Sequence, residues 1–97
     1  MAWIAVKNDS HIPCISVYAD DKRTFSDILR GSMSEYVFFP YESVYITVYD
    51  NFEKPVFDDV LSVHPYKKQV ISVGNGTVGV ASAHLCRYNI VGKNKTF

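Results

Sequence analysis

Between Thr24 and Val37 the apolar residues recur at every third or fourth position, whereas between Ser43 and Tyr49 they recur at every second. A chain in which the first spacing gives way to the second is expected to carry a helix and then a strand. Side chains repeat every 3.6 residues around a helix and every two along a strand. In the first segment Phe25, Ile28, Leu29, Met33, Tyr36 and Val37 share one helical face, and Thr24 with Asp27 spells a T-x-x-D cap ahead of them. Gly31 inside this span costs about 1 kcal/mol against alanine, which does not cancel the periodicity, and Pro40 closes it. In the second segment Val44, Ile46 and Val48 alternate with Tyr45, Thr47 and Tyr49, and Asp50-Asn51 ends the run in a turn. The expectation is an α+β fold. Its helix, over about residues 25–37, packs Phe25, Ile28, Leu29 and Met33 on Val44, Ile46, Val48 and Ile71.

Around this unit, "AWIAVK" and "IPCISVY" are β-rich runs separated by the turn formers "NDSH", so residues 2–18 read as a hairpin. Residues 56–63, "VFDDVLSV", fit a short helix or a strand. "QVISVGNGTVGVASAHLCRYNIV" reads as two strands about Gly74-Asn75-Gly76, whose glycines and asparagine suit a hairpin turn, the second strand running bent to Val91. Ninety-seven residues, 47% hydrophobic and 21% charged, suffice for one core and are too few for two. Residues 1–92 are therefore expected to form a single domain and residues 93–97 a polar tail.

Ten basic residues balance ten acidic ones, and pairs such as Lys22-Arg23 and Lys67-Lys68 are scattered, so no stripe offers itself to a nucleic-acid backbone. The start "MAWIAVKNDS" lacks a basic stretch followed by an apolar run, and nowhere is there an apolar stretch of the roughly 18 residues a membrane span requires. A soluble, cytoplasmic protein is expected, with Cys14 and Cys86 as reduced thiols and the sequons Asn75-Gly76-Thr77 and Asn94-Lys95-Thr96 unused.

"VYADDKRT", residues 17–24, places two aspartates after an aromatic residue, the pattern of a polymerase metal site. Such a site needs a third carboxylate on another strand, and the only acid before Tyr18 is Asp9. Asp20 and Asp21 are instead expected ahead of the helix, where negative charge suits the dipole. His84 and Cys86, two apart on a strand, could form a nucleophile with its base, but no further ligands fall at zinc spacing. Asp58-Asp59 reads as a solvated pair, and "GNGTVG" lacks the lysine and hydroxyl of a phosphate loop. No cofactor and no metal are expected.

Aromatic residues reach 14% and crowd the middle of the chain. With the helix on the Val44 face, Tyr45, Thr47 and Tyr49 are left facing outward, a composition suited to a protein partner. If residues 77–91 cover that face, the exposed aromatics are Phe38, Phe39 or Phe52 in flanking loops.

The order strand, strand, capped helix, strand, irregular segment, strand resembles the ubiquitin-like β-grasp. "DSHIPCISV", "TFSDIL" and "PYESVYITVYDN" look most like the ubiquitin-fold modifier branch, over about residues 3–73. The resemblance implies a mixed sheet wrapped on one helix, here with an extra C-terminal hairpin or strand. It also implies a binding module, in which Gly92 would be a conjugation terminus only after removal of "KNKTF". The function expected is that of a non-enzymatic protein–protein interaction module, a small adaptor or inhibitor of the viral or phage accessory kind, acting as a monomer or homodimer without nucleic acid or membrane. The alternative is a structural subunit of an assembly, and the third reading is a small enzyme using His84 and Cys86.

Overall fold

The computed structural model of the chain describes residues 2–82. They form eight strands in two four-stranded sheets: β1 (Ala2–Asn8), β2 (Cys14–Ala19), β3 (Lys22–Leu29), β4 (Val37–Phe39), β5 (Ser43–Tyr49), β6 (Pro55–Ser62), β7 (Lys68–Val73) and β8 (Val78–Ser82). The first sheet has the order β4-β1-β7-β8 and the second β3-β2-β5-β6. Only the β1–β7 pair is parallel. Ile4, Val6, Ile71 and Val73 of the first sheet and Ile15, Val17, Phe25, Ile28, Val44, Ile46 and Val48 of the second bury their side chains in one cluster between the layers, a β-sandwich.

Among the described residues there is no helix, so the α+β, β-grasp expectation is overturned. The capped helix of residues 25–37 is strand β3, a turn and strand β4. What imitated a helix is a β-bulge. From Ile15↔Ile28 to Val17↔Phe25, β2 advances two residues while β3 advances three. On an unbroken strand Phe25 and Ile28 would face opposite ways; the extra residue turns both inward, 2% and 4% exposed. The i, i+3 spacing of a helical face is thereby met by a strand. Asp27, in the bulge, takes a positive φ of 54°, and its N–H, lost to the ladder, donates to the Ser16 hydroxyl at 3.2 Å. Leu29 and Met33, expected in the core, are 59% and 49% exposed.

Asp20 and Asp21 do not precede a helix either. Ala19 pairs with Lys22, and the two aspartates between them have φ of 50° and 67°, the positive values a two-residue type I′ hairpin turn demands. Aspartate tolerates this region better than most residues because its short polar side chain bonds locally. Gly31, at φ 82°, is likewise a turn residue after β3. The Gly74-Asn75-Gly76 turn joins β7 to β8 in an antiparallel pair.

The hairpin expected over residues 2–18 is absent, because β1 and β2 lie in different sheets. The crossing is held by Asn8, 0% exposed at the end of β1. Its amide donates to the carbonyls of Ile12 and Ile28, both at 3.0 Å. Its Oδ1 accepts from the Ser10 N–H at 3.1 Å and from the Ser10 hydroxyl at 2.6 Å. All four hydrogen-bonding positions of the side-chain amide are thus used.

Two substitutions at adjacent positions check the bulged register. Ile28→Ala should cost about 2–5 kcal/mol, the range for a buried aliphatic side chain, and Leu29→Ala less than about 0.5 kcal/mol. Chemical denaturation showing the reverse order would place β3 in the wrong register. Asn8→Ala strands two carbonyls and the donors of Ser10. It should lower Tm by roughly 12–24 °C, about 3 kcal/mol at 4–8 °C per kcal/mol in a domain of this size, and a fall below about 4 °C would remove Asn8 from this role.

Candidate functional site

The outward side of the second sheet brings aromatic and charged side chains together. Alternation along β5 buries Val44, Ile46 and Val48 to 2% exposure or less and leaves Tyr45, Thr47 and Tyr49 half-buried on the other side. Antiparallel pairing sets Tyr49 opposite Ser16, Thr47 opposite Tyr18 and Asp58, and Tyr45 opposite Val60. Directly opposed residues share a face, so Ser16 and Tyr18 of β2 and Asp58 and Val60 of β6 join the same surface. The Tyr18 and Tyr49 rings lie 4.8 Å apart at 51°, a tilted contact favoured by the ring quadrupoles.

Arg23 of β3, opposite Tyr18, binds this face together. Its Nε donates to the Ser26 hydroxyl at 2.9 Å and one terminal nitrogen to the Ser16 hydroxyl at 3.0 Å. The other reaches Glu53 at 3.3 Å, in the turn between β5 and β6, and Asp27 lies at 3.7 Å. That turn is built on Asp50, whose carboxylate accepts from the N–H groups of Phe52 and Lys54 at 2.8 and 3.0 Å. Tyr45 donates its phenol to Asp58 at 2.8 Å. Thr47 favours the phenolate, but the bond to the Asp58 carboxylate, burial and further negative charge outweigh it and push the Tyr45 pKa up. Tyr45 is therefore a neutral donor on this face.

The six aromatic and hydroxyl residues expected to bind a partner fall in four places. Tyr45, Thr47 and Tyr49 stand together as described. Phe38 packs edge-on against Trp3 on the outward side of the first sheet, ring centroids 5.3 Å apart. Phe39 is half-buried against the core, 6.4 Å from Phe25, and Phe52 stands 76% exposed in the β5–β6 turn. Of residues 77–91, β8 pairs with β7 in the opposite sheet, and residues 83–91 lie outside those described.

Tyr18, Arg23 and Asp58 were not evident as members of the face. Tyr18 reads as a strand end, Arg23 as half of a scattered basic pair and Asp58 as half of a solvated acidic pair, until β2, β3 and β6 are paired around β5. A depression of about 450 Å³ between β3 and β4, with Leu29, Met33 and Glu35 in its lining, was hidden for a related reason: the apolar pair read as helix core.

Asp20 and Asp21 occupy a hairpin turn, and among the described residues no group of three His, Cys, Asp or Glu is placed to hold a metal ion. Asn75 of the first sequon accepts from the His11 backbone N–H at 2.8 Å. His84, Cys86, Gly92, the second sequon and the 93–97 tail lie outside the described residues. Among those described, no helix is long and apolar enough to cross a membrane, a statement that does not extend to membrane strands.

Cys14 is a half-buried free thiol, 3.8 Å from Asp27. Burial first, and then the Asp27 carboxylate, push its pKa up, with Arg23 opposing. A raised pKa lowers the thiolate fraction below it, and the thiolate is the reactive form. Asp27→Asn removes the negative charge, so the pKa should fall and iodoacetamide alkylation of Cys14, measured in a Cys86→Ser background at mildly alkaline pH, should speed up severalfold. An unchanged or slower rate would exclude this coupling.

Comparison of the chain with protein-family models, with curated proteins and with solved structures returns no match.

Proposed function

We propose that the chain is a non-enzymatic protein-binding domain, a small adaptor or inhibitor, whose partner sits on the outward face of the second sheet. The observation that carries this reading is the juxtaposition of Tyr18, Tyr45 and Tyr49 with Arg23, Asp58 and the exposed Val60 on one face. Tyrosines provide large contact area and a hydroxyl with little rotamer entropy to lose, and arginine shares their enrichment at interfaces. The fixed orientation of Arg23, shared among Ser16, Ser26 and Glu53, reduces the ordering cost a partner would otherwise meet. A surface of this mixture binds while staying hydrated when free. Monomer or homodimer is the state expected for such a module.

The test is a Tyr45→Ala, Tyr49→Ala double variant set against Trp3→Ala, Phe38→Ala on the opposite sheet. What co-purifies from the native cell is inventoried by mass spectrometry. A partner retained by the second variant and lost from the first, at unchanged Tm, is the expected result. A Tm fall beyond about 8 °C, the scale of 1–2 kcal/mol, would assign the tyrosines to stability, and equal recovery by both variants would move the interface elsewhere.

A further inference from the structure

We infer that the partner engages the edge of β6 that no other described strand covers, by adding one extended strand to the second sheet, and that this strand carries two adjacent basic residues between apolar ones. The inference rests on the protein-binding reading above and names the chemistry of the segment that would continue the same face.

A strand edge presents unpaired N–H and C=O groups and is a template for another chain unless something blunts it. β3 is broken by two register shifts. β4 has three residues and is followed by Pro40. β6 differs: it spans eight residues, and its pairing with β5 runs without a shift from Phe57 to Ser62. On its far side, alternate backbone groups point away from β5; among them the Val60 N–H is held by the Asp59 carboxylate at 2.8 Å, which an incoming basic residue would draw away. Two apolar side chains stay exposed along it, Val56 at 47% and Val60 at 61%.

The side chains of β6 specify what can lie beside it. Asp58 and Val60 face outward, opposite Thr47 and Tyr45, while Phe57, Asp59 and Leu61 oppose the inward Val48, Ile46 and Val44. Val56 lies at the register shift between Val48 and Tyr49 and lines a depression with Phe57, Ile12 and Val73. The inward face therefore reads apolar, acidic, apolar, and the outward face acidic, apolar. Asp58 accepts one bond, from the Tyr45 phenol, and Asp59 one, from its neighbour's N–H. The three ion pairs among the described residues involve neither. A strand reading apolar-apolar-basic-basic-apolar-apolar would match both faces at once.

The same carboxylates discriminate against a second copy of the chain. Residues opposed across an antiparallel pair share a face, so the twofold registers that overlap most of β6 set Asp58 against its own counterpart, or Asp59 against its own. Like charges directly opposed are destabilising. The edge is thus closed to itself and open to a cationic strand.

The experiment titrates the isotope-labelled full chain with the capped peptide TVVKKVVT, which reads alike in both directions and so serves either strand orientation, and with TVVEEVVT as its acidic control. The expected result is saturable amide shifts and slowed hydrogen exchange over residues 55–62 and at Tyr45 and Thr47 with the lysine peptide alone. Binding should weaken about fivefold or more in an Asp58→Asn, Asp59→Asn variant, from the loss of two exposed ion pairs. That variant, with its repulsion removed, should also self-associate more readily in sedimentation than the natural chain. No shift at millimolar lysine peptide, an equal response to both peptides, shifts confined to β3, β4 or β8, or unaltered sedimentation of the variant would each overturn strand addition. Face-specific loss of the native partner in the Tyr45, Tyr49 variant would still stand in those cases, so the two readings fail separately.

Discussion

The fold depends on Asn8 being fully bonded where β1 leaves one sheet for the other. A chain that crosses between layers in five residues buries backbone groups that no ladder can serve, and an unpaired buried polar group costs about 1–3 kcal/mol. Asn8 meets this need on both sides of the corner: it takes the Ile12 carbonyl on the way into β2 and the Ile28 carbonyl near the end of β3. Its own backbone N–H and carbonyl bond Ser32 and Gly31 in the turn that follows β3. The side chain thereby fixes where β2 begins and where β3 ends, and the backbone of the same residue fixes where the chain returns toward β4. Ser10 completes the corner, its hydroxyl accepting from the Ile12 N–H while donating to Asn8.

From that corner the outward face of the second sheet follows. The β3 bulge brings Asp27 beside Cys14 and Arg23 and directs its N–H to Ser16, and Arg23 in turn reaches Glu53 across the sheet. A ladder hydrogen bond is exchanged for a side-chain bond, and the exchange builds a polar network beside the tyrosines. Structure that departs from regular pairing, here a bulge and a hairpin turn with two positive-φ aspartates, shapes the surface, whereas the regular strands supply the core.

Three of the four sheet edges among the described residues, those at β3, β4 and β6, differ in how they are protected. Bulges serve at β3 and shortness at β4, both geometric and therefore indifferent to the partner. At β6 the means we propose is charge, that of the adjacent Asp58 and Asp59. Continuity of Val60 and Asp58 with Tyr45 and Thr47 makes that edge and the aromatic face one surface.

By itself the sequence determined the elements whose signal is local. The alternation of Val44, Ile46 and Val48 with Tyr45, Thr47 and Tyr49 could only be a strand with one buried face, and Gly74-Asn75-Gly76 could only be a turn between two such runs. The helix assigned to residues 25–37 failed because a bulge inserts one residue into a period of two, and Phe25 and Ile28 then repeat as a helix would. Thr24 and Asp27 completed the imitation, since the residues that cap helices also accept the backbone of turns and bulges. The N-D-S-H-I-P connection reads the same whether β1 and β2 pair with each other or part company, because turn residues specify a change of direction and not a destination. Which strands became neighbours was decided only in the folded chain. Pairing β1 with β7, some sixty residues away, and β2 with β5 depends on hydrophobic faces meeting across the sandwich, and no local window of sequence contains both partners.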